Sequence, residues 1–351
     1  MNKIFTHAKI AGIAAAVPKE IVDLKSFSDL FGDNNVDKIM KVTGIKSVRR
    51  APKGMTVSDY CVYAAEKLIS ELHIDSADID GLVFITESPD YLVPHTSAIL
   101  QDRLGLPKSS IVFDINYGCS GYVYGLFQAF MMIESGYCKN VLLCAGDTLS
   151  RKVNPKDKAS QMVLGDAGTA TIITAIDEAR PVAFSFFTDG SGAKHLIIPA
   201  GGARIPHQAG KTDILNVDAD GNARTDEDFY MNGMEVMEFT LHDVKSVIQD
   251  AMDLVNWDKA EVDLFALHQA NALIVKYIRK QLKADKEKVP FALENYGNSS
   301  SGTIPVLLCN KYSGVNRDFK KVLIAGFGTG LSCAAGTIGL ESTVILPTYE
   351  L

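Results

Sequence analysis

Cys119, His268 and Asn298 are the residues of this 351-residue chain whose types and settings suit them to chemistry. Cys119 stands between the apolar run SIVFDIN and the small and aromatic run GYVYGLFQAF, which predicts a thiol at a strand-to-helix turn. A thiol there meets the positive end of a helix dipole and free backbone N–H groups, which favour the thiolate and make a nucleophile. The competing reading is a small buried hydrophobe, the usual state of a cysteine. His268 closes the run LFALH and precedes QANALI, which starts a helix. Parallel strands present their carboxyl ends to a ligand crevice, so His268 would share a rim with Cys119. Of the seven histidines only this one is so placed, although a neighbouring backbone group could equally satisfy it. Asn298, in ENYGNSSSGT, precedes another helix, where Asn is also a natural N-cap. The turn GFGTG at 326–330 offers backbone N–H groups that can complete an oxyanion hole. No adequate βαβ unit follows it, which argues against a dinucleotide loop.

The elements that must position these residues occur twice. KNVLLCAG and KKVLIAGFG match with Val141 and Val322 offset by 181, and Gly121 and Gly302 share that offset. DIDGLVFIT and EVDLFALHQ match with Asp80 and Asp263 offset by 183. Ser300 thereby takes the place of Cys119 in the second copy, and Asn298 faces the same pseudo-symmetric crevice. The runs GLVFIT, SIVFDIN, NVLLCAG, LFALH and KVLIAGF are nearly continuous apolar segments, the pattern of strands covered on both faces. Helical stretches are expected at 61–72, 121–135, 235–255 and 271–283. The fold expected is a mostly parallel, pseudo-twofold α/β duplication, with an N-terminal half over 1–178 carrying the cysteine and a C-terminal half over 179–351 carrying His268 and Asn298. Turn-rich sequence over 184–230 reads as an insertion. Within it DADGN places Gly221 too early for a calcium loop, so a hairpin turn at Asp220-Gly221 is expected.

Composition narrows the function classes. A formal net charge of −7 argues against broad nucleic-acid binding. Six cysteines without CxxC or metal-type spacing fit a reducing compartment rather than a disulfide framework, and no metal site is expected. The apolar run after Lys3 is interrupted by His7 and Lys9 and ends at Val17-Pro18, so it reads as a first strand rather than a signal peptide. No stretch approaches the ~20 apolar residues of a membrane span. A soluble, cytoplasmic protein is expected. A cysteine followed by a histidine 149 residues later and then an asparagine also occurs in papain-like proteases, but the C-G-S-C-W surround is absent and Phe113 stands where their oxyanion Gln would be.

TGIKSVRR, DINYGCSGYVYGL, GDAGTA, LHQAN, GNSSSGT and AGFGTGLS, in that order along essentially the whole chain, resemble the landmarks of the thiolase-like condensing enzymes, within them the β-ketoacyl-acyl-carrier-protein synthase III family. The resemblance implies a layered α-β-α-β-α fold and a decarboxylative Claisen condensation without a cofactor. Cys119 would carry the acyl group, while His268 and Asn298 hold the thioester carbonyl of a malonyl-type donor. The backbone N–H groups of Cys119 and Thr329 would cradle the oxyanion. Val93 and Phe327 would border the acyl pocket; Val93, where some members carry a bulky Phe, would admit chains longer than acetyl, reaching across a homodimer from YLVPHTS. An acyl carrier protein would meet Lys276, Arg279, Lys280 and Lys283, whose spacing places several on one helix face. Departures from the family pattern fall at Lys38 and Val42, where CoA-primed members carry a Trp and an Arg, at Lys158 and at Leu273, and they put CoA in doubt as acyl donor. A same-fold transferase forming an ester or amide, or a non-catalytic partner subunit, are the alternatives.

Overall fold

The computed structural model describes residues 4–315 and 318–351. Two sheets carry the architecture. One has the order Val344–Glu350, Ala8–Val17, Ala167–Ala175, Asn140–Asp147, Gly81–Ile85 and Ile111–Ile115; the other runs Ile4–Phe5, Val182–Thr188, Ser332–Ile338, Val322–Gly328 and Leu264–Leu267. From Ala8–Val17 to Gly81–Ile85 the pairings are antiparallel, antiparallel and parallel, and the same sequence recurs from Val182–Thr188 to Leu264–Leu267. The sheets are therefore mixed rather than mostly parallel, because each half returns by antiparallel neighbours.

The two offsets read from the sequence are the offsets of the strand register. Gly81 faces Val141 in one sheet, and Leu264 faces Val322 in the other. Even the polar clamps repeat. Asp80 Oδ2 accepts the N–H groups of Lys139 (2.7 Å) and Asn140 (3.2 Å), and Asp263 Oδ2 those of Lys320 and Lys321, both at 2.9 Å.

Helices Gly121–Glu134 and Thr303–Tyr312 lie between the sheets, where their apolar residues join the inward faces of both in one core. Helix Val57–Leu72 covers the outer face of the first sheet, and Val244–Leu254 with Ala272–Leu282 that of the second. This is the five-layer arrangement expected. The helical stretch expected at 235–255 is two helices, Gly233–His242 and Val244–Leu254, meeting at Asp243. Thr240 Oγ1 donates back to the Val236 carbonyl (2.7 Å), a bond that bends helices just before such a break.

Two further readings change. Ile111–Ile115 is not covered on both faces but is an edge strand, every residue of which is at least partly exposed. The stretch set apart at 184–230 begins inside Val182–Thr188, a strand in the middle of the second sheet, so irregular chain starts only at Asp189. DADGN does turn a hairpin, pairing Asn216–Val217 with Ala223–Arg224. Asp218 Oδ1 accepts the N–H groups of Asp220 (3.0 Å) and Asn222 (2.9 Å), and Arg224 meets its other oxygen. Among the described residues, no helix is long and apolar enough to cross a membrane.

Candidate active site

Cys119 follows edge strand Ile111–Ile115 and stands two residues before the helix starting at Gly121. It is half-buried, whereas the other five cysteines are buried. The glycine turn of strand Val322–Gly328 lies directly on it: a Cβ on Gly328 would fall 2.6 Å from Cys119 Cβ and 2.8 Å from its Sγ. No side chain fits there, so the backbone of the turn reaches the thiol because residue 328 is glycine.

The expectation of a thiolate does not hold. Burial pushes the Cys119 thiol up to about 12, the nearby Glu87 carboxylate pushes in the same direction, and the Ser300 hydroxyl only partly offsets them. Loss of solvation outweighs the helix end. Cys119 rests as a neutral thiol.

His268 is placed by strand Leu264–Leu267 and held at its own N–H by the Ala325 carbonyl (2.7 Å). Burial lowers its pKa to about 3, so the imidazole is neutral. Its Nδ1 is 2.6 Å from Thr303 Oγ1, which is 3.1 Å from the Ser300 carbonyl. Thr303 Oγ1 has one proton for these two contacts; where Nδ1 accepts it, Nε2 carries the ring hydrogen and donates. Phe327 packs edge-on against the ring, with centroids 5.3 Å apart. The rest of LHQAN serves the backbone. Gln269 bridges the Leu267 carbonyl (2.8 Å) and the Ala292 N–H (3.0 Å), and Asn271 caps helix Ala272–Leu282 through the Ile274 N–H (2.9 Å).

Asn298 is clamped from the other half of the chain: its N–H donates to the Val163 carbonyl (2.8 Å), and its carbonyl accepts from Gly165 N–H (2.9 Å). Its side-chain Oδ1 accepts the Ser300 N–H (2.9 Å). That bond fixes the amide orientation and leaves Nδ2 to donate. The GDAGTA segment thus positions Asn298, and Asp166 ties it further by accepting the Ala51 N–H (2.8 Å) and the Ser150 hydroxyl (2.6 Å).

Cys119, His268, Asn298, Phe327 and Thr329 all line one cavity of about 380 Å³, with Glu87 beside them. Its mouth passes helix Asp33–Thr43, where Lys38 and Val42 contribute to the wall. Val93 is not among the lining residues. It sits on an exposed tip, 83% accessible, next to Leu92 at 95%. A single protomer therefore does not bring Val93 to Cys119. Lys276, Lys280 and Lys283 are exposed along one face from the mouth, with Leu273 at 49% exposure, whereas Arg279 is half-buried on the flank. Lys158 is tied to the Asp220 carbonyl of the hairpin.

Two site residues escaped the sequence reading. Thr303 lies within GNSSSGT as the first residue of its helix. Glu87 lies two residues past strand Gly81–Ile85, at the strand end that corresponds to the one carrying His268. The strand-end argument applied to His268 would have found it.

Profiles of 3-oxoacyl-[acyl-carrier-protein] synthase III and of its C-terminal part match residues 113–190 and 252–340. A putative 3-oxoacyl-[acyl-carrier-protein] synthase 3 of Campylobacter jejuni is 33% identical, covering 97% of this chain and 96% of its own. The β-ketoacyl-[acyl-carrier-protein] synthase III of Clostridioides difficile is 31% identical, covering 95% and 98%. Among solved structures, a 3-oxoacyl-(acyl-carrier protein) synthase from Burkholderia xenovorans superposes with a TM-score of 0.92 at 32% identity, over 99% of this chain and 98% of that one.

Proposed function

The chain belongs to the 3-oxoacyl-acyl-carrier-protein synthase III family and is an acyl-transferring condensing enzyme, and we propose that it works through Cys119, His268 and Asn298 on acyl and malonyl thioesters. The carrying observation is that the Cys119 thiol, a neutral His268 and the Asn298 amide, whose Nδ2 is left to donate, converge on one cavity; the reading takes His268 with its hydrogen on Nε2.

In the first stage Cys119 Sγ attacks an acyl thioester. The N–H groups of Cys119 and Thr329 receive the oxyanion, and the carrier thiol leaves. In the second stage His268 and Asn298 donate to the carbonyl of a malonyl thioester. As CO2 departs, the electron pair moves into an enolate whose oxygen these two donors stabilise; its carbon attacks the acyl-cysteine, the C–S bond breaks, and the Cys119 thiolate takes a proton from solvent. Neutral donors suit this step because the charge they meet develops only as the bond breaks. The malonyl thioester is carried by acyl carrier protein, approaching over Lys276, Lys280 and Lys283. The working unit is a homodimer in which the exposed Tyr91-Leu92-Val93 tip closes the partner's acyl pocket, with Val93 leaving room beyond acetyl. No cofactor takes part, and the enzyme works in the cytoplasm.

Incubation with acyl-CoA and acyl-carrier-protein thioesters of two to ten carbons, read by intact mass with Cys119→Ala as control, tests the first stage. Malonyl-carrier protein is then added and CO2 and the β-ketoacyl product are measured. An adduct confined to Cys119, followed by both products, is the expected result. Acyl transfer to an alcohol or amine without CO2 would replace condensation by ester or amide formation, and the absence of any adduct would overturn the reading.

A further inference from the structure

Glu87 has no part in the chemistry described so far, yet it stands in the same cavity wall as Cys119. A Cβ on Gly118, the residue before Cys119, would fall 2.3 Å from Glu87 Oε2 and 2.6 Å from Thr329 Oγ1. Against burial and Asp147, which raise the Glu87 pKa, the Thr329 hydroxyl lowers it. The adjacent Gly328 lies against Cys119 Sγ. One two-residue turn thus has the carboxyl at one residue and the thiol at the other.

We propose that Glu87 takes the thiol proton of Cys119 during acyl loading and returns it to the departing thiol. The proposal rests on the acyl-cysteine reading above and adds the base which that reading lacks. The step balances without a co-reactant. The S–H bond of Cys119 breaks as its proton passes to the Glu87 carboxylate and the new S–C bond forms. The tetrahedral intermediate then expels the carrier sulfur with its electron pair, and Glu87 gives that sulfur the proton.

A neutral thiol held at about 12 needs such a partner. His268 cannot serve, since burial makes it a weak base and Thr303 occupies its Nδ1. Asp147 is the remaining carboxyl facing Glu87, and its Oδ1 already accepts from Glu87 N–H (2.7 Å), Thr86 Oγ1 (2.9 Å) and Ser88 Oγ (3.0 Å). Two carboxyls in one dry pocket resist joint ionisation. Burial raises Asp147 as well, to about 6, but its three donors favour the charge there, so of the pair Glu87 is the one that takes the proton more readily. Burial and Asp147 raise Glu87 to about 7, where an acid–base group serves at neutral pH.

Loading of Cys119 from butyryl-N-acetylcysteamine, a thioester with neither nucleotide nor carrier, is to be followed by rapid quench and intact mass from about pH 5.5 to 9. The native protein, Glu87→Gln and Glu87→Asp are compared. The native rate is expected to rise with pH and level off above about 7; Glu87→Gln should load ~100-fold more slowly without that inflection, and Glu87→Asp should lose less rate and keep an inflection. A fraction of unfolded variant lowers the amplitude without moving the inflection, so the profile remains decisive. Glu87→Gln loading at the native rate and with the native profile would overturn the proton-transfer role and leave acyl-cysteine chemistry intact. Equal slowing of both variants with the native inflection retained would reduce Glu87 to a positioning residue. A native protein that never acylates would instead remove the reading on which the proposal rests.

Discussion

The two halves share one scaffold and part company only at the ends of their equivalent strands. The offset of 183 that relates Asp80 to Asp263 relates Ile85-Thr86-Glu87 to His268-Gln269-Ala270. The offset of 181 relates Cys119 to Ser300 and Asp147 to Gly328. Where the first half carries a thiol and two carboxyls, the second carries a hydroxyl, a methyl and a bare glycine, and its neutral imidazole stands where the first half has Ile85. Asn298 adds an amide from the second half. The distal ends carry the same Asp clamps, which close strands. On the proposed roles, the crevice joins a proton-handling wall to a neutral donor wall, one for each stage of the reaction.

Separate removal of the walls tests that division. Cys119→Ala should abolish the acyl adduct and lower condensation by ~10³-fold or more, the loss expected for a covalent nucleophile. His268→Ala or Asn298→Ala should lower CO2 release and product by ~10²–10³-fold while the adduct on Cys119 still forms, since each removes one donor to the enolate. Measurement of loading and decarboxylation on the same samples separates the stages. Loss of loading in the His268 or Asn298 variants would dissolve the boundary between the walls.

Thr303→Val sharpens the comparison within the second half. It keeps the shape and removes the hydroxyl that fixes the His268 tautomer, so Nδ1 takes the hydrogen in part of the population. Condensation should fall ~10-fold with loading unchanged, the size of one lost buried hydrogen bond.

The walls should also differ in how pH acts on stability. Unfolded, His268 titrates near its ordinary 6.5; folded, it does so at about 3. Between those values the unfolded chain binds a proton that the folded chain refuses, so this contribution is full above 6.5 and is lost as pH falls. Glu87 runs the other way. Its raised pKa means that the folded chain keeps a proton the unfolded chain has released, so stability declines as pH rises from 4.5 through about 7. His268→Gln should flatten the acid limb of the urea midpoint against pH, and Glu87→Gln the limb through neutrality, each on the order of 1–3 kcal/mol.

How much of this was legible in the sequence depends on whether a feature was written in one segment or between segments. The duplication was legible because apolar strands and the Asp clamps recur at constant offsets, and Cys119 and His268 sit at strand-to-helix turns that those offsets locate, with Asn298 just before the helix that matches the one after Cys119. The charge state of Cys119 was not, because a helix end is local while desolvation comes from the packing of Gly328 and the cavity wall. The edge position of Ile111–Ile115 was hidden for a similar reason: an apolar run does not say which neighbour pairs with it. Glu87 was legible in principle, since ITES ends a buried strand on the rim, but a carboxylate after a strand reads first as solvated turn chemistry.

The smallest effect lies outside both walls, on the helix that leads away from His268. Ile274, Val275, Ile278 and Leu282 bury one side of Ala272–Leu282, which leaves Lys276, Lys280 and Lys283 on the open side with Leu273. This stripe begins where Asn271 and Ile274 line the cavity, so an acidic carrier seated on it would deliver its thioester to the mouth. Exposed charges act mainly on encounter and are screened by salt. Lys276→Glu with Lys280→Glu should weaken carrier-protein binding ~5–30-fold at low ionic strength, at about 1 kcal/mol per reversed charge, with the difference shrinking as salt is added. Loading from butyryl-N-acetylcysteamine, which has no carrier to steer, should be unchanged. Carrier affinity that does not respond to the reversal at low salt would move the docking face elsewhere, while leaving the chemistry of the two walls where it is.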